Sequence, residues 1–349
     1  MKTDSFRGKD FLTLLDFSRE EIETMLDIAL DLKRKYAIWD LSTHELLRGK
    51  TLFMIFYNQS LRTRNSFEAG MTQLGGHAHF LDPAKIYTPA LEGDERAYET
   101  ERVSDVARVL SRMGHGIAIR CYGDPVGWVY GRAHELERNF AYWSDIPIIN
   151  MECDKYHPCQ ALADLLTVKE KFGTFKGVKF VMSWAYSPSV HKPLAVPQSA
   201  VIASTMMGMD VVLAYPKGLE LDDAVIDACK KFSEVEGGSF EISNDMEEAF
   251  QGADVVYPKA WTSKFNIPPI NSAVELDKTQ ELFDANKHWI CDDDKMKLIA
   301  DRGVYMHCLP CDRGFEVANS VIDGPKSVVF DQAENRLHCQ NAVMALIMR

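Results

Sequence analysis

The sequence predicts an α/β protein made of two doubly wound parallel-sheet domains joined by helices. Apolar segments of strand length alternate with amphipathic helical segments along the chain, which is typical of parallel sheets. The loop-to-strand entry at 48–54 is echoed at 176–182, so the second half opens much as the first does. At 349 residues, the chain is long enough for two domains of ordinary size.

The composition is that of a globular protein with more acidic than basic residues. It is 46% hydrophobic and 26% charged, as in soluble proteins. The net charge of −12 disfavours nucleic acid or an anionic membrane as the main partner. No run of 18 apolar residues occurs, the first five residues lack an apolar signal core, and the eight cysteines are scattered as in reduced intracellular proteins. We therefore expect a cytoplasmic protein without nucleic-acid or membrane partners.

The first half begins with a clear helix signal. Ser18 and Glu21 form a capping box ahead of apolar residues at helical spacing, which predicts a helix ending near Tyr36. An apolar strand follows at 51–56. The next helix starts at Ser60 and runs to Leu74, where two glycines stop it. The other elements predicted here are strands at 79–81, 116–120 and 148–151, and helices at 101–113 and 158–172.

The second half repeats the alternation of strands and helices. Strands are predicted near 210–214, 239–242, 254–257, 304–308 and 327–330, with helices at 199–207, 222–236, 246–250 and 295–300. In such sheets ligands bind at the carboxyl ends of strands. Five polar residues fall at or just after predicted strand ends, and we expect them to share one site: Arg62, Arg120, His157, Lys259 and His307. No glycine-rich dinucleotide or nucleoside-triphosphate motif follows any strand.

The segment from Ser60 to Arg64 has the features of a phosphate site. A helix N-terminus offers backbone N–H groups and a positive dipole end to a dianion. Here it comes with the hydroxyls of Ser60 and Thr63 and with the guanidinium groups of Arg62 and Arg64, whose planar fork matches phosphate. In the alternative interpretation Ser60 is only an N-cap and the two arginines are only solvated charges.

Four motifs in order resemble those of the aspartate/ornithine carbamoyltransferase family. They are Ser60-Leu61-Arg62-Thr63-Arg64, His157-Pro158-Cys159-Gln160, His307-Cys308-Leu309-Pro310 and residues 332–338. The resemblance implies a carbamoyl-phosphate-binding domain at 1–160, with a C-terminal helix at 331–349 packing back on it, and a second-substrate domain at 161–330. It also implies a homotrimer with active sites at subunit interfaces. The implied reaction transfers the carbamoyl group of carbamoyl phosphate to an amine and releases phosphate, without a cofactor or metal.

The resemblance also implies roles for individual residues. It assigns carbamoyl phosphate to Ser60, Leu61, Arg62, Thr63, Arg120, His157, Gln160, Cys308, Leu309 and Arg336. Among these, Thr63, Arg120 and His157 face the carbonyl oxygen, where negative charge develops. Gln160 and the backbone of Cys308 and Leu309 meet the carbamoyl NH2 group. The catalytic residues are then Thr63, Arg120, His157 and Cys308.

A proline-rich segment at 184–198 resembles the knotted branch of this family. Its three prolines in ten residues fix φ repeatedly and make a stiff loop. The resemblance is to the N-acetylornithine, N-succinylornithine and YgeW-like enzymes, and it implies a trefoil knot in the C-terminal domain, a rare exception to un-knotted topology. The pattern around Lys259 matches the branch's lysine motif and, with the proline-rich segment, lies nearest to the YgeW-like members.

The acceptor side of the site departs from that pattern. The expected second-substrate residues are Lys259, Glu152, Tyr186, Ser187 and Asp312, with Lys85 and Tyr87 on the loop at 82–96 that reaches a neighbouring subunit. Asp312 stands where acyl-ornithine enzymes carry arginine, and Tyr87 and Lys85 stand where the acetylornithine enzyme has tryptophan. The longer insertion of YgeW-like proteins before the last strand is missing. Glu152 could equally be a structural carboxylate, and the acceptor stays open among N-acyl-ornithine, a diamine, a ureido compound and oxamate.

Three other interpretations remain at this level. The first is a carbamoyltransferase dedicated to N-acyl-ornithine. The second is a carbamoyl-phosphate-binding relative without activity. The third is a metal or redox protein built on Cys308 and Cys311, but a zinc site normally needs four ligands, and no second pair of this spacing occurs. A thioredoxin-like pair would start a helix in a much smaller fold.

Overall fold

The structure, a computed structural model, describes residues 3–263 and 273–348. It divides into two compact units. The first comprises Met1–Val126, Gly131–Ala163 and Asn335–Arg349, and the second comprises Gly127–Tyr130 and Asp164–Glu334. The predicted domain bounds include Met1, Lys2 and Arg349, which lie outside the described residues.

The first unit begins with the helix that the capping box predicts. In α1 (Arg19–Ala37), Ser18 Oγ accepts a hydrogen bond from Glu21 N, and Glu21 Oε2 accepts one from Ser18 N. The further elements of this unit are β1 (Thr51–Phe56), α2 (Arg62–Gln73), β2 (His77–Leu81), β3 (Thr88–Ala90), β4 (Thr100–Arg102), α3 (Val103–Ser111), β5 (Gly116–Arg120), α4 (Arg132–Trp143) and β6 (Ile148–Glu152). Helix α5 (Pro158–Phe172) begins in this unit and ends in the second.

A four-stranded parallel sheet forms the centre of the first unit. Its order is β2-β1-β5-β6, so β5 and β6 are adjacent. Every residue of β5 and β6 is buried, as expected for strands covered on both faces. Arg120 is the last residue of β5 and Glu152 the last of β6, and the sheet register pairs them directly. A small separate sheet joins β3 and β4.

The second unit holds the remaining elements. They are β7 (Lys179–Trp184), α6 (Ala195–Met206), β8 (Asp210–Ala214), α7 (Asp223–Glu236), β9 (Ser239–Ser243), α8 (Met246–Phe250), β10 (Val255–Lys259), α9 (Ala273–Ala285), β11 (Val304–Tyr305), α10 (Asn319–Ile322) and α11 (Val329–Ile347). Its parallel sheet has the order β11-β10-β7-β8-β9. All twelve residues of α6 are buried, and the helix packs against β7 and β8. The last turns of α11, from Asn335, belong to the first unit.

The structure corrects several predicted elements of the second half. The strand predicted at 327–330 is wrong: Ser327 makes only an isolated bridge with Tyr305, and α11 begins at Val329. The strand predicted at 304–308 ends at Tyr305, and the helix predicted at 295–300 is a single 3₁₀ turn over Lys295–Lys297. Helices α4 and α9 were not predicted. The two-sheet α/β class itself is confirmed.

None of the helices in 3–263 and 273–348 combines the length and the apolar character that crossing a membrane requires.

Candidate active site

The turn between β1 and α2 is held in place by the neighbouring strand β5. Tyr57 N donates to Arg120 O at 2.9 Å. The side chain of Asn58 accepts from Tyr122 N at 2.9 Å and donates to Tyr122 O at 3.0 Å. These bonds lock the start of α2 beside the end of β5. The chain leaves β1 at this point because the side chain of Asn58 completes hydrogen bonds that the sheet no longer provides.

The start of α2 presents the hydroxyls predicted for the phosphate site. Ser60 Oγ accepts a hydrogen bond from Thr63 N at 3.2 Å, although the residue that flanks α2 is Leu61 and the helix begins two residues later than predicted. Arg62 is the first residue of α2, next to Leu61, whose side chain is exposed. The side chain of Thr63 is buried, so its hydroxyl faces groups of the first unit and not the solvent.

Arg336 of α11 joins two of the predicted site residues. Its Nη2 donates to Thr63 Oγ1 at 2.9 Å, and its Nη1 donates to Gln160 Oε1 at 2.8 Å. The side chain is only 2% exposed, and its Nε has no hydrogen-bond partner among the described residues. A buried guanidinium with an unsatisfied N–H is costly unless another acceptor is supplied. Arg336 therefore has donor capacity left for an anion.

Arg120 provides a second buried guanidinium. Its Nη1 forms an ion pair and hydrogen bond with Glu152, and its Nη2 lies 3.0 Å from the phenolic oxygen of Tyr122, to which it donates. Burial alone would lower the pKa of Arg120, but the charge of Glu152 and the contact with Tyr122 leave it raised. Its Nε also lacks a partner among the described residues.

His157 lies beside the same carboxylate. Its Nε2 is 3.7 Å from Glu152 Oε2, and the ring is almost fully buried. Burial lowers the pKa of His157 well below its usual value, and the charges of Arg336, Arg120 and Arg62 lower it further. The imidazole is therefore neutral at pH 7 and can donate from one ring nitrogen.

The electrostatics of this cluster favour an anion. Arg62, Arg120 and Arg336 act on one another and on His157, and Glu152 is the carboxylate among them. Burial lowers the pKa of Arg336; Cys159 opposes this shift, and the like charges of Arg120 and Arg62 add to it. An incoming dianion would relieve that repulsion. We call Ser60, Arg62, Thr63, Arg120, His157, Gln160 and Arg336 the arginine cluster.

Arg64 has a different role from its neighbour Arg62. Its Nε donates to Glu68 at 2.9 Å, one turn along α2. Its guanidinium also stacks over the ring of Phe80 in β2, 3.8 Å from the ring centre. These contacts attach α2 to the edge of the sheet, so this arginine serves the fold.

In the second unit, a buried carboxylate organises the lysine motif. Glu316 is fully buried; its Oε1 accepts from Ala260 N at 2.7 Å and lies 3.5 Å from Lys259 Nζ. Its Oε2 accepts from Asp312 N at 2.7 Å and lies 3.3 Å from His307 Nε2, without good hydrogen-bond geometry at that nitrogen. Burial alone would raise the pKa of Glu316, but Lys259 and His307 lower it below its usual range.

Asp312 is engaged by residues of the proline-rich segment. Its Oδ2 accepts from Ser187 Oγ at 2.6 Å and from Lys192 Nζ at 2.7 Å. Its salt-bridge partner is therefore a lysine of the proline-rich segment. The adjacent Arg313 pairs with Asp323. Asp312 is thus a partly exposed carboxylate of fixed orientation beside Ser187.

The segment His307–Pro310 is fixed from both sides. His307 N donates to Gln332 Oε1 at 2.8 Å, and Gln332 Nε2 donates to Asp164 at 2.6 Å. Leu309 N donates to His307 Nδ1 at 2.9 Å, which leaves the ring proton on Nε2, facing Glu316. Leu309 has a positive φ of 52°, and its bond to the next proline is cis. Cys308 is buried.

Three predicted site residues lie outside these two groups. Tyr186 is buried, 3.5 Å from Asp284 through its hydroxyl, and its ring packs on Phe315. Lys85 and Tyr87 are exposed on a surface depression of the first unit, which also includes Tyr98.

Sequence reasoning missed Glu316, Lys192 and Gln332. The signal for Glu316 is an acid isolated between apolar neighbours, Phe315 and Val317. Lys192 lies inside the proline-rich segment, whose predicted role rests on its prolines and gives Lys192 no part in the site. Gln332 is the first residue of the fourth motif, in which only Arg336 is a predicted site residue.

Comparison with known families decides what kind of protein this is. The family description "Aspartate/ornithine carbamoyltransferase, carbamoyl-P binding domain" matches residues 9–170. Its companion, "Aspartate/ornithine carbamoyltransferase, Asp/Orn binding domain", matches residues 194–347. The chain belongs to the aspartate/ornithine carbamoyltransferase family. Members of this family transfer carbamoyl groups, so the chain is a carbamoyltransferase.

Individual relatives resemble the chain over nearly its whole length. The N-acetylornithine carbamoyltransferase of Xanthomonas campestris pv. campestris is 39% identical, over 97% of this chain and 98% of that protein. The anabolic ornithine carbamoyltransferase of Pyrococcus furiosus is 40% identical, over 99% and 98%. Identity to these two carbamoyltransferases is almost equal, so overall similarity does not distinguish between their acceptors.

Solved carbamoyltransferase structures resemble the fold closely. An acetylornithine transcarbamylase complexed with acetylcitrulline has a TM-score of 0.86 and 37% identity, over 97% of this chain and 98% of that one. A variant N-acetyl-L-ornithine transcarbamylase complexed with carbamyl phosphate and N-succinyl-L-norvaline has a TM-score of 0.87 and 38% identity, over 97% and 99%.

Proposed function

We propose that this carbamoyltransferase transfers the carbamoyl group of carbamoyl phosphate to the amine of a small amino or amide acceptor and releases phosphate. The observation that carries the proposal is the pair of bonds from buried Arg336 to Thr63 and Gln160 within the arginine cluster. Such a buried cationic group needs an anionic partner to offset its cost. The solved relative that holds carbamyl phosphate supports this choice of anion.

In the proposed reaction the acceptor amine attacks the carbonyl carbon of carbamoyl phosphate. A C–N bond forms, the C–O bond to the phosphate breaks, and phosphate leaves with the electron pair. The nitrogen loses one proton as the ureido product forms. No covalent intermediate with the protein is needed, so the protein contributes orientation and charge stabilisation.

The donor is assigned to the first unit. Ser60, Arg62 and Thr63 at the start of α2 bind the phosphate, helped by Arg120, and Leu61 contributes backbone. Thr63, Arg120 and His157 face the carbonyl oxygen. Neutral His157 donates a hydrogen bond there without adding a fourth positive charge. The side chain of Gln160 accepts hydrogen bonds from the carbamoyl NH2 group.

The acceptor is assigned to residues of the second unit. Lys259, held by Glu316, binds the carboxylate or carbonyl of the acceptor. Asp312, with Ser187 beside it, orients the amine, and Tyr186 borders this region. Glu152 is assigned to the donor side as the partner of Arg120 and His157, in place of an acceptor contact.

A second candidate is a carbamoyltransferase specific for N-acetyl- or N-succinylornithine. The name of the Xanthomonas relative and those of the solved structures favour it. The carboxylate of Asp312, already paired with Lys192, argues against it, because an acid there repels the carboxylate of an acyl-ornithine.

We further propose the knotted branch, a homotrimer and a cytoplasmic location. Thr262 N donates to Lys192 O, and Ala185 N to Lys259 O, so the lysine motif and the proline-rich segment are bonded together. This supports a chain threaded at that place. The exposed Tyr87 and Tyr98, with Lys85, are suited to reach a neighbouring subunit. Light scattering of the purified protein tests the trimer: a monomer at working concentration would refute it.

An acceptor screen tests the proposed function. Purified protein is mixed with carbamoyl phosphate and single candidates: ornithine, N-acetyl- and N-succinylornithine, short diamino acids, ureido compounds and oxamate. Phosphate release above spontaneous hydrolysis, with the ureido product seen by mass spectrometry, is the expected result for one acceptor class. Binding of carbamoyl phosphate without turnover of any acceptor would favour the non-catalytic alternative.

Binding of the donor is tested separately. Arg62→Ala should lower the affinity for carbamoyl phosphate at least tenfold, because a charge-assisted hydrogen bond contributes roughly 1.5–3 kcal/mol. Calorimetry measures this affinity. The matched control is Arg64→Ala in the same helix, which should change affinity little. Equal affinity in wild type and Arg62→Ala would refute the donor assignment.

A further inference from the structure

A group of three metal-binding side chains lies in the first unit, apart from the arginine cluster. His134 and Glu137 stand three residues apart on one face of α4, and Cys153 directly follows β6. His134 Nδ1 lies 3.8 Å from Cys153 Sγ and 3.9 Å from Glu137 Oε2, and the three ligand atoms all lie within 4.8 Å of one another. We call these residues the His-Glu-Cys group.

Glu137 is the least expected member of this group. Its side chain is fully buried, and neither carboxylate oxygen has a hydrogen-bond partner among the described residues. Leaving a buried carboxyl unpaired costs several kcal/mol, roughly 2–7 on transfer scales. Burial and the nearby Asp154 raise the pKa of Glu137. The Cys153 thiol and the His134 ring lie beside this carboxyl group, and both are side chains that bind metals.

Cys153 is arranged as an acceptor. Its sulfur accepts hydrogen bonds from Asn150 Nδ2 and from Tyr156 N, both at 3.3 Å. Burial and the charges of Glu137 and Asp154 raise the pKa of Cys153 well above its usual value, so the thiol loses its proton only when a cation binds. The two N–H groups then stabilise the thiolate, as second-layer contacts do for metal ligands. The remaining side of the sulfur faces His134. Burial lowers the pKa of His134 to about 4, so its imidazole is neutral at pH 7, the form that binds metals.

Asp154 ties together the two elements that carry the ligands. It follows Cys153 and accepts from the backbone N–H groups of Ala133 and His134, at 3.3 Å and 3.2 Å. The start of α4 is therefore fixed against the end of β6. This cross-connection keeps the ligand atoms together whether or not an ion is bound, and such preorganisation lowers the cost of binding.

We propose that His134, Glu137 and Cys153 form a site for one divalent transition-metal ion of zinc type. Thiolate and carboxylate neutralise a divalent charge, and a nitrogen, oxygen and sulfur set suits zinc. Tetrahedral zinc with ordinary bond lengths places its ligands roughly 3.3–3.7 Å apart. The two separations from His134 Nδ1 therefore need shifts of a few tenths of an ångström, and the third separation lies within 4.8 Å. A water molecule completes the coordination through the partly exposed side of His134.

Arg138 competes with metal binding. Its Nε donates to His134 Nε2 at 3.2 Å, which places the ring proton on Nδ1. Binding of the ion to Nδ1 moves that proton to Nε2, so Arg138 must turn away. Its side chain is half exposed and already pairs with Asp16. Removing this arginine should therefore tighten the site.

Cobalt(II) gives a direct test on the full chain. Metal-free wild type titrated with Co²⁺ should bind one equivalent and develop the near-ultraviolet band of a cobalt thiolate, and Zn²⁺ should displace it. Cys153→Ser should lose the band. Glu137→Gln and His134→Asn should lower the affinity for Co²⁺ roughly 100-fold. Arg138→Leu should raise this affinity several-fold. A thiolate band that is absent, or weaker binding in Arg138→Leu, would overturn the proposal.

Matched variants separate this site from other cysteines. Cys229→Ser removes another buried cysteine in α7, and Cys311→Ser removes the partly exposed one after His307–Pro310. Both should bind Co²⁺ like wild type; loss of the band only in Cys311→Ser would assign the ion elsewhere and refute the proposal. Zn²⁺ should also raise the melting temperature of wild type and not of Cys153→Ser, which needs no enzymatic activity.

Discussion

Lys259 and Glu316 form an ion pair, with 3.5 Å between Nζ and Oε1, across 57 residues of sequence. The same carboxylate accepts N–H groups from the segment after Lys259 and from the segment after His307. It is an acceptor-only group with donors on both oxygens. Ionised glutamate satisfies this arrangement, and glutamine cannot, because its NH2 group would meet one of the N–H donors.

Glu316→Gln should destabilise the protein. One buried N–H loses its acceptor and Lys259 loses its counter-charge, so we expect the free energy of unfolding to fall by roughly 2–4 kcal/mol. Urea unfolding measures it. The control is Glu281→Gln, an exposed glutamate of α9, which should stay within about 0.5 kcal/mol of wild type. Equal stability of both variants would contradict the proposed role of Glu316. Glu316→Asp should recover part of the loss.

Arg336→Lys should weaken the binding of carbamoyl phosphate. A single ammonium cannot donate to Thr63 and Gln160 with the planar fork that the guanidinium supplies. We expect the dissociation constant to rise at least tenfold by calorimetry. Arg112→Lys, an exposed arginine at the end of α3, is the control. If both variants bind carbamoyl phosphate like wild type, Arg336 does not contact the donor.

His157 should make stability depend on pH. Its pKa is lowered on folding, first by burial, so the folded state binds fewer protons than the unfolded state below about pH 6.5. The stability it contributes is complete above that pH and is lost as the pH falls towards the folded pKa. The difference in unfolding free energy between wild type and His157→Asn should therefore be smaller at pH 5.5 than at pH 7.5, by roughly 1 kcal/mol. An equal difference at the two pH values would contradict this role of His157.

Asp312→Asn should affect the acceptor and not the donor. It removes the charge that Lys192 and Ser187 hold in place, so kcat/KM for the amine found in the screen should fall roughly 10- to 100-fold. The affinity for carbamoyl phosphate should stay within a factor of two or three. Asp323→Asn, which breaks the exposed pair with Arg313, is the control. A matching loss in both variants would mean that Asp312 acts only on the fold.

The sequence predicts the parts of the fold that rest on strong local signals. The capping box of α1 and the apolar β1 strand appear where expected, because their signals are local and agree with the tertiary context. The segment 327–330 fails for the opposite reason. Its β-branched valines and Phe330 favour a strand, but the helix that contains Arg336 begins there, and its packing overrides propensity.

The site was only partly predictable for a similar reason. Thr63, Gln160 and Arg336 could be named because motifs mark them, although no pattern in the sequence says that Arg336 would join the other two. Glu316 has no motif of its own, and its importance follows from four neighbours that the fold brings together. Long-range electrostatics of this kind are not visible in a single sequence.

The bond from Arg336 to Thr63 spans 273 residues and has a consequence for biosynthesis. The start of α2 is made early, together with most of the groups assigned to the phosphate. The guanidinium that connects Thr63 to Gln160 exists only after residue 336 has been translated. A nascent or truncated chain that stops before Arg336 therefore lacks this part of the donor site. Binding of carbamoyl phosphate would then distinguish full-length molecules from incomplete ones.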